Sequence, residues 1–321
     1  MYEGSRVLVA GGTGTIGVPL VKELIKLGSQ VTIASLETEK RFAEIFGHLT
    51  DQIVYKRLDL TEISGCEKAV ESMDYVFNLV GIKGSVGIGE TKVASYLLPM
   101  LRFQSNLIEA SYNAKVKRYL FTGSVCSYPQ SEMHLEENMW NGMPKQNDRI
   151  PGIAKRVGEL LGEAFELEYG WDAVRVVRPS NVYGPYDDFN PATAQVIPSL
   201  IHKVLNEQGP VKVWGDGSAI RDFIFSDDVA YWMTKALEHA PSNYPINLGN
   251  GVGLSIKKIA DTIVEIANPS CELQWEPTGP VGDPIRVMSM ERAKAIIGFE
   301  SRTSLVDGIT STIKWYKDQR T

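Results

Sequence analysis

Arg6-Val7-Leu8-Val9-Ala10-Gly11-Gly12-Thr13-Gly14-Thr15-Ile16-Gly17 joins a short apolar run to a glycine-rich turn near the start of the chain. The apolar run reads as a strand buried on both faces. After the turn, Leu20, Val21, Leu24, Ile25 and Leu27 recur at helical spacing, and Gly28 closes the helix. A turn of this kind between strand and helix suits a pyrophosphate. Backbone N–H groups at a helix N-terminus bind it, and side chains would hold it off. Gly11 permits the tight turn, Gly14 the close approach and Gly17 the packing of helix on strand. Thr13, Thr15 and Ile16 complete a dinucleotide-binding turn.

Strand and helix keep alternating beyond this point. Strands are expected over 30–34, 53–58, 75–80, 118–122 and 174–178, and helices over 39–46, 63–70, 97–113 and 154–169. That order predicts an α/β protein with a Rossmann-type, doubly wound parallel sheet. After Pro185 the elements shorten and Pro and Gly become frequent, as expected of a smaller α/β substrate-binding lobe with strands over 211–214 and 271–276. The stretch 221–239 and a strand over 245–248 are expected to return to the main domain. The dinucleotide domain is therefore expected over 1–185 with about 221–249, and the lobe over about 186–220 with 250–321.

Composition excludes several classes. The 321 residues are 43% hydrophobic and 22% charged, which is ordinary globular usage and not that of a disordered chain. A net charge of −6 argues against a nucleic-acid partner, whose affinity rests on clustered Lys and Arg. Cys66, Cys126 and Cys271 are too scattered for a disulfide framework. The four histidines lack ligand spacing, so no metal is expected. No signal-peptide pattern or membrane-length apolar run occurs, so a cytoplasmic protein without a membrane partner is expected.

The spacing Gly11-x-x-Gly14-x-x-Gly17 resembles that of the short-chain dehydrogenase/reductases, in particular the extended branch acting on nucleotide sugars, the NAD-dependent epimerase/dehydratase family. The resemblance implies that Asp59-Leu60 contact the adenine. It also implies that Ser35 stands where NAD-specific members carry an acid, and that Pro179 borders the cofactor. With Lys40 and Arg41 just beyond Ser35, the lean is to NADP over NAD.

The family's catalytic set is Ser, Tyr and Lys, with Tyr and Lys at i and i+4 on one helix face. The ammonium lowers the phenol's pKa, so that it exchanges a proton with the substrate while hydride moves. Here Lys155 matches, but Pro151 stands at the tyrosine position. Proline is tolerated in a first helical turn, yet it moves no proton. Ser124 of Gly123-Ser124-Val125-Cys126-Ser127-Tyr128-Pro129 matches the family serine. Val125-Cys126 replaces the Asp-Glu pair of sugar dehydratases, which excludes that reaction.

Gly123–Pro129 resembles instead the GDP-fucose synthases, and so do 103–108, 178–185, 188–191, 196–198 and 213–223. In that branch the cysteine is an epimerising base, which makes Cys126 a candidate, although its histidine partner is Gln195 here. Tyr128 or water is a candidate to complete the proton path, or Lys155 protonates the substrate directly; the alternative for Tyr128 is that it only packs against the substrate. The resemblance further implies substrate contacts from Lys83, Ser124, Asn181, Trp214, Arg221 and Arg286, and a homodimer formed by the helices over 97–113 and 154–169. The function expected is NAD(P)-dependent hydride transfer at a ring carbon, C4, of a nucleotide sugar, with GDP preferred. The alternatives are an epimerase that retains its cofactor and a binding protein that has lost turnover with the tyrosine.

Overall fold

A seven-stranded, wholly parallel sheet forms the centre of the protein, here a computed structural model describing residues 1–82, 93–277 and 283–320. Its strands are β1 (Arg6–Ala10), β2 (Gln30–Ser35), β3 (Ile53–Arg57), β4 (Tyr75–Asn78), β5 (Arg118–Thr122), β7 (Val174–Pro179) and β11 (Ile246–Leu248). They lie side by side as β11-β7-β5-β4-β1-β2-β3. The order reverses between β1 and β4, and such a switch point leaves a crevice at the carboxyl ends of the strands.

The first strand shows why the alternation was readable. Val7 and Val9 face one layer of helices, Leu8 and Ala10 the other, and all four are fully buried. One layer holds α1 (Gly17–Lys26), α2 (Glu39–Phe46) and α7 (Ser226–His239). The opposite layer holds α3 (Ile63–Val70), α4 (Val93–Asn113) and α5 (Arg149–Tyr169). Each such buried valine or leucine side chain contributes about 1.5–3 kcal/mol.

Two helices start earlier than their apolar faces suggest. α4 begins at Val93 and carries Pro99 inside it, and α5 begins at Arg149 with Pro151 in its first turn. The first turn of α5 lacks an apolar stripe. An N–H at that position would have no intrahelical partner, so proline forfeits no bond there.

The remaining strands form two smaller sheets. β10 (Ile220–Phe225) lies between β12 (Gly253–Ser255) and β14 (Ile285–Met288), with β6 (Met133–His134) beyond β14 and β8 (Asn181–Tyr183) also paired to β10. β9 (Val211–Trp214) and β13 (Leu273–Glu276) pair in parallel. Helices α6 (Val196–Asn206), α8 (Ile256–Ala267) and α10 (Leu305–Asp318) share a third apolar core with these strands, while α9 (Glu291–Ile297) packs on the first. The stretch 221–239 divides accordingly: its first residues form β10, and its helix packs on α1.

Candidate active site

A cavity of about 530 Å³ opens at the carboxyl ends of the central strands. Its lining brings together Gly11, Thr13, Gly14, Thr15, Ile16, Gly17, Ser35, Asp59 and Leu60. The glycine turn is built as a cradle. Gly11 has φ +79°, where side chains are strained, and a Cβ on Gly17 would lie 2.6 Å from the Gly11 carbonyl oxygen. A Cβ on Gly14 would meet only that oxygen, at 3.9 Å, so its open side faces the cavity. Among the described residues no side chain caps α1; its Val18 N–H donates to the Gly14 carbonyl (3.0 Å), and the uncapped start of the helix presents its positive end to an anion. These features fit a dinucleotide.

At the far end of the cavity, Ser35 Oγ accepts from the Glu37 N–H (3.0 Å) and lies 3.3 Å from the Tyr55 hydroxyl. Asp59 Oδ1 accepts from both the N–H and the hydroxyl of Thr61, at 2.9 and 2.8 Å, closing its own turn. Arg41 pairs with Glu44 at 3.2 Å. Arg57 instead donates through Nε to the Leu36 carbonyl (3.3 Å), which sets a cation beside Ser35 that sequence reading passed over. Glu37 lines the same rim.

Lys155 lies on α5 with Nζ donating to the Thr122 carbonyl (2.7 Å) at the end of β5. Burial pulls its pKa down to about 8, against the raising effect of Glu159 and Cys126. The adjoining turn starts at Ser124, whose Oγ accepts from the Cys126 N–H (3.1 Å). Pro179 ends β7, which neighbours β5. Burial, then the charge of Asp148, pushes the Cys126 thiol up, with Arg286 opposing. Cys126 is therefore a protonated thiol beside a carboxylate.

Tyr128 is not brought to this site. It is 1% exposed, donates to Asn247 Oδ1 (2.6 Å) and accepts from Arg178 (2.8 Å). Burial pushes its phenol up, so it is a neutral structural hydroxyl. It belongs to a buried network in which Arg178 grips Glu159 through two bonds of 3.0 and 2.7 Å.

The lobe contributes two arginines from distant segments. Arg221 and Arg286 are register partners across β10 and β14. Arg221 donates to the Asp283 carbonyl (2.6 Å), and Arg286 to the Val125 carbonyl (3.0 Å) and to Asp148 (2.8 Å). Asn181 spends its amide on the Asp222 carbonyl (2.7 Å), whereas Trp214 ends β9 and is 67% exposed. Lys83 lies outside the described residues.

Three positioning residues were not anticipated. Asp148, directly before α5, holds Arg286. Arg156 donates to the Ser127 carbonyl (2.8 Å) and pins the turn. Gly152 lets the helix close on that turn, since a Cβ there would lie 2.3 Å from the Cys126 oxygen. The glycine beside Pro151 was the available signal. Among the described residues no group of three or more His, Cys, Asp or Glu could hold a metal ion, and no helix is long and apolar enough to cross a membrane.

Comparison with known proteins agrees with this architecture. Residues 7–249 match the model of the NAD dependent epimerase/dehydratase family. A putative GDP-L-fucose synthase 2 from Arabidopsis thaliana is 29% identical, covering 98% of this chain and 93% of that protein. Similar solved structures include a UDP-N-acetylglucosamine 4-epimerase from Methanobrevibacter ruminantium M1 in complex with UDP-N-acetylmuramic acid, with TM-score 0.87, 25% identity and 99% of each chain covered. Another is a GDP-mannoheptose C4 reductase from Campylobacter jejuni with NADP bound, with TM-score 0.79, 25% identity and 98% of each chain covered. With the family model matching residues 7–249 and a crevice at the carboxyl ends of a parallel sheet, the chain belongs to the NAD dependent epimerase/dehydratase family.

Proposed function

We propose that this protein is an NADP-dependent oxidoreductase that reduces a ring ketone, at C4, of a nucleotide-linked sugar, with GDP-sugars as the substrate class. The observation that carries this reading is the turn that begins at Ser124: Lys155 is bonded to the Thr122 carbonyl just before it, Arg286 to the Val125 carbonyl within it, and Arg221 is the register partner of Arg286. The Arabidopsis relative is named for a GDP-sugar and the Campylobacter structure for a C4 reductase with NADP, which supports the nucleotide, the ring position and the cofactor.

A bound reduced dinucleotide supplies the hydride. The glycine turn and the N-terminus of α1 hold its pyrophosphate, and Arg57 meets a 2′-phosphate beside Ser35. The Ser124 hydroxyl donates to the ketone oxygen, and the Lys155 ammonium stabilises the charge that develops there. Arg221 and Arg286 grip the substrate diphosphate through their planar forks, with Trp214 bordering the nucleotide. The dinucleotide domain comprises 1–185 with about 221–249, and the protein is a cytoplasmic homodimer packed through α4 and α5.

The test offers NADPH and 4-keto sugars linked to GDP, UDP or dTDP, and follows loss of the reduced cofactor's near-ultraviolet absorbance. Consumption with the GDP-sugar is expected, and no consumption with any of them refutes the reading. Cys126, held as a thiol against Asp148, favours a second reading in which a carbon beside the ketone is also epimerised. Proton NMR of the product separates the two.

A further inference from the structure

We propose that Tyr96, projecting from α4, is the catalytic acid that takes over from the phenol missing at position 151. The inference rests on the reading of the site as a ketone reductase. Tyr96, Pro99 and Phe103 are spaced i, i+3 and i+7, so they share one face of α4 (Val93–Asn113), and both Pro99 and Phe103 line the cofactor cavity. The Tyr96 hydroxyl donates to the Ile82 carbonyl (2.9 Å), and Ile82 lines that cavity too. The hydroxyl therefore sits at the edge of the cavity, while the ring packs on the core shared by Phe121 and by Ala154 of α5, the helix that carries Pro151 and Lys155.

The catalytic turn lies within electrostatic reach. Burial pushes the Tyr96 phenol up to about 12, and the Cys126 side chain, two residues past Ser124, adds to the rise. Lys155 Nζ lies 5.3 Å from the centre of the Phe121 ring, which belongs to the core against which Tyr96 packs, so the ammonium and the phenol border the same patch of core from two helices. A neutral phenol suits the reductive direction, because a proton has to be given. Hydride from the reduced dinucleotide forms the new C–H bond as the carbonyl π bond breaks and its electron pair moves to oxygen. That oxygen takes the phenolic proton, the O–H bond of Tyr96 breaks, and water returns a proton to the phenolate. Ser124 and Lys155 keep their roles of holding the oxygen and its charge.

The decisive variant is Tyr96→Phe, which keeps the ring's packing and removes one hydrogen bond. NADPH affinity is measured by fluorescence titration, and turnover with the GDP-linked 4-keto sugar by cofactor consumption. General acids contribute about 10²–10⁴-fold. The expected result is a fall in kcat of about 100-fold or more, with KM and NADPH affinity within about threefold of wild type. Retained kcat within about threefold overturns the assignment and leaves Lys155 as the donor. A parallel loss of NADPH affinity and KM shows a structural role and overturns it as well. If wild type turns over no nucleotide sugar, the ketone-reductase reading fails and the acid assignment falls with it. An active wild type with an active variant refutes the assignment alone.

Discussion

Glu159→Gln is the substitution with the most calculable consequence. The Arg178 and Glu159 side chains are 2% and 3% exposed, and two charge-assisted bonds of 3.0 and 2.7 Å join them. Removing one partner of a buried pair costs about 3–5 kcal/mol, because the surviving charge is left unpaired. Two features place this case at the lower end. Arg178 keeps its bonds to the Tyr128 hydroxyl and the Glu136 carbonyl, and the glutamine carbonyl retains one acceptor. The glutamine amide, however, turns its own N–H groups toward the guanidinium. The expected loss is about 3 kcal/mol, more than a hundredfold in the folding equilibrium, read as a lowered urea midpoint at unchanged slope. Replacing both partners, as Glu159→Gln with Arg178→Met, is expected to recover much of this, since neither member of the pair then leaves its counter-charge unpaired. A loss below about 1 kcal/mol for the single variant, or a double variant less stable than the single, refutes the account.

Gly152→Ala puts a methyl 2.3 Å from the Cys126 carbonyl oxygen, against backbone that cannot swing aside. It should destabilise the fold by about 1–3 kcal/mol and lower kcat by displacing the Ser124 turn, with NADPH affinity little changed. Lys155, pulled down to about 8 by burial, should give kcat/KM a basic limb as its ammonium is lost, and Lys155→Arg should remove that limb. For stability the sign is opposite. Between about 8 and about 10.4 the unfolded chain holds a proton there that the folded chain lacks, so this group's contribution grows with rising pH across that window. Arg57→Ala should raise the Kd for NADPH tenfold or more while leaving that for NADH within about threefold, as measured by fluorescence titration.

How much was legible follows from how local each signal is. β1 and the turn after it are specified within twelve consecutive residues, since burial on both faces demands an unbroken apolar run and a pyrophosphate demands glycine at fixed offsets. The helices Glu39–Phe46 and Ile63–Val70 and the strand Arg118–Thr122 were readable for the same reason. Lys155, and the absence of a phenol four residues before it, are likewise local facts. The start of α5 was misplaced because its first turn packs Gly152 on Cys126 and not an apolar stripe on the sheet.

Tyr128 shows the limit of such reading. Four residues after Ser124 it looks like a spare phenol, but its direction is set by Arg178 and Asn247, which reach it from β7 and β11. Tyr96 is the converse: nothing near it in the chain marks it, and only the packing of α4 on the sheet brings its face to the cavity. Arg221 and Arg286 become neighbours through the parallel register of β10 and β14. Local chemistry in the chain thus specified the sheet, the dinucleotide turn and the lysine. The register of distant strands and the burial of each polar group, which arise only from long-range pairing and packing, decided which phenol is locked in the interior, which arginines become neighbours and which carboxylate holds one of them.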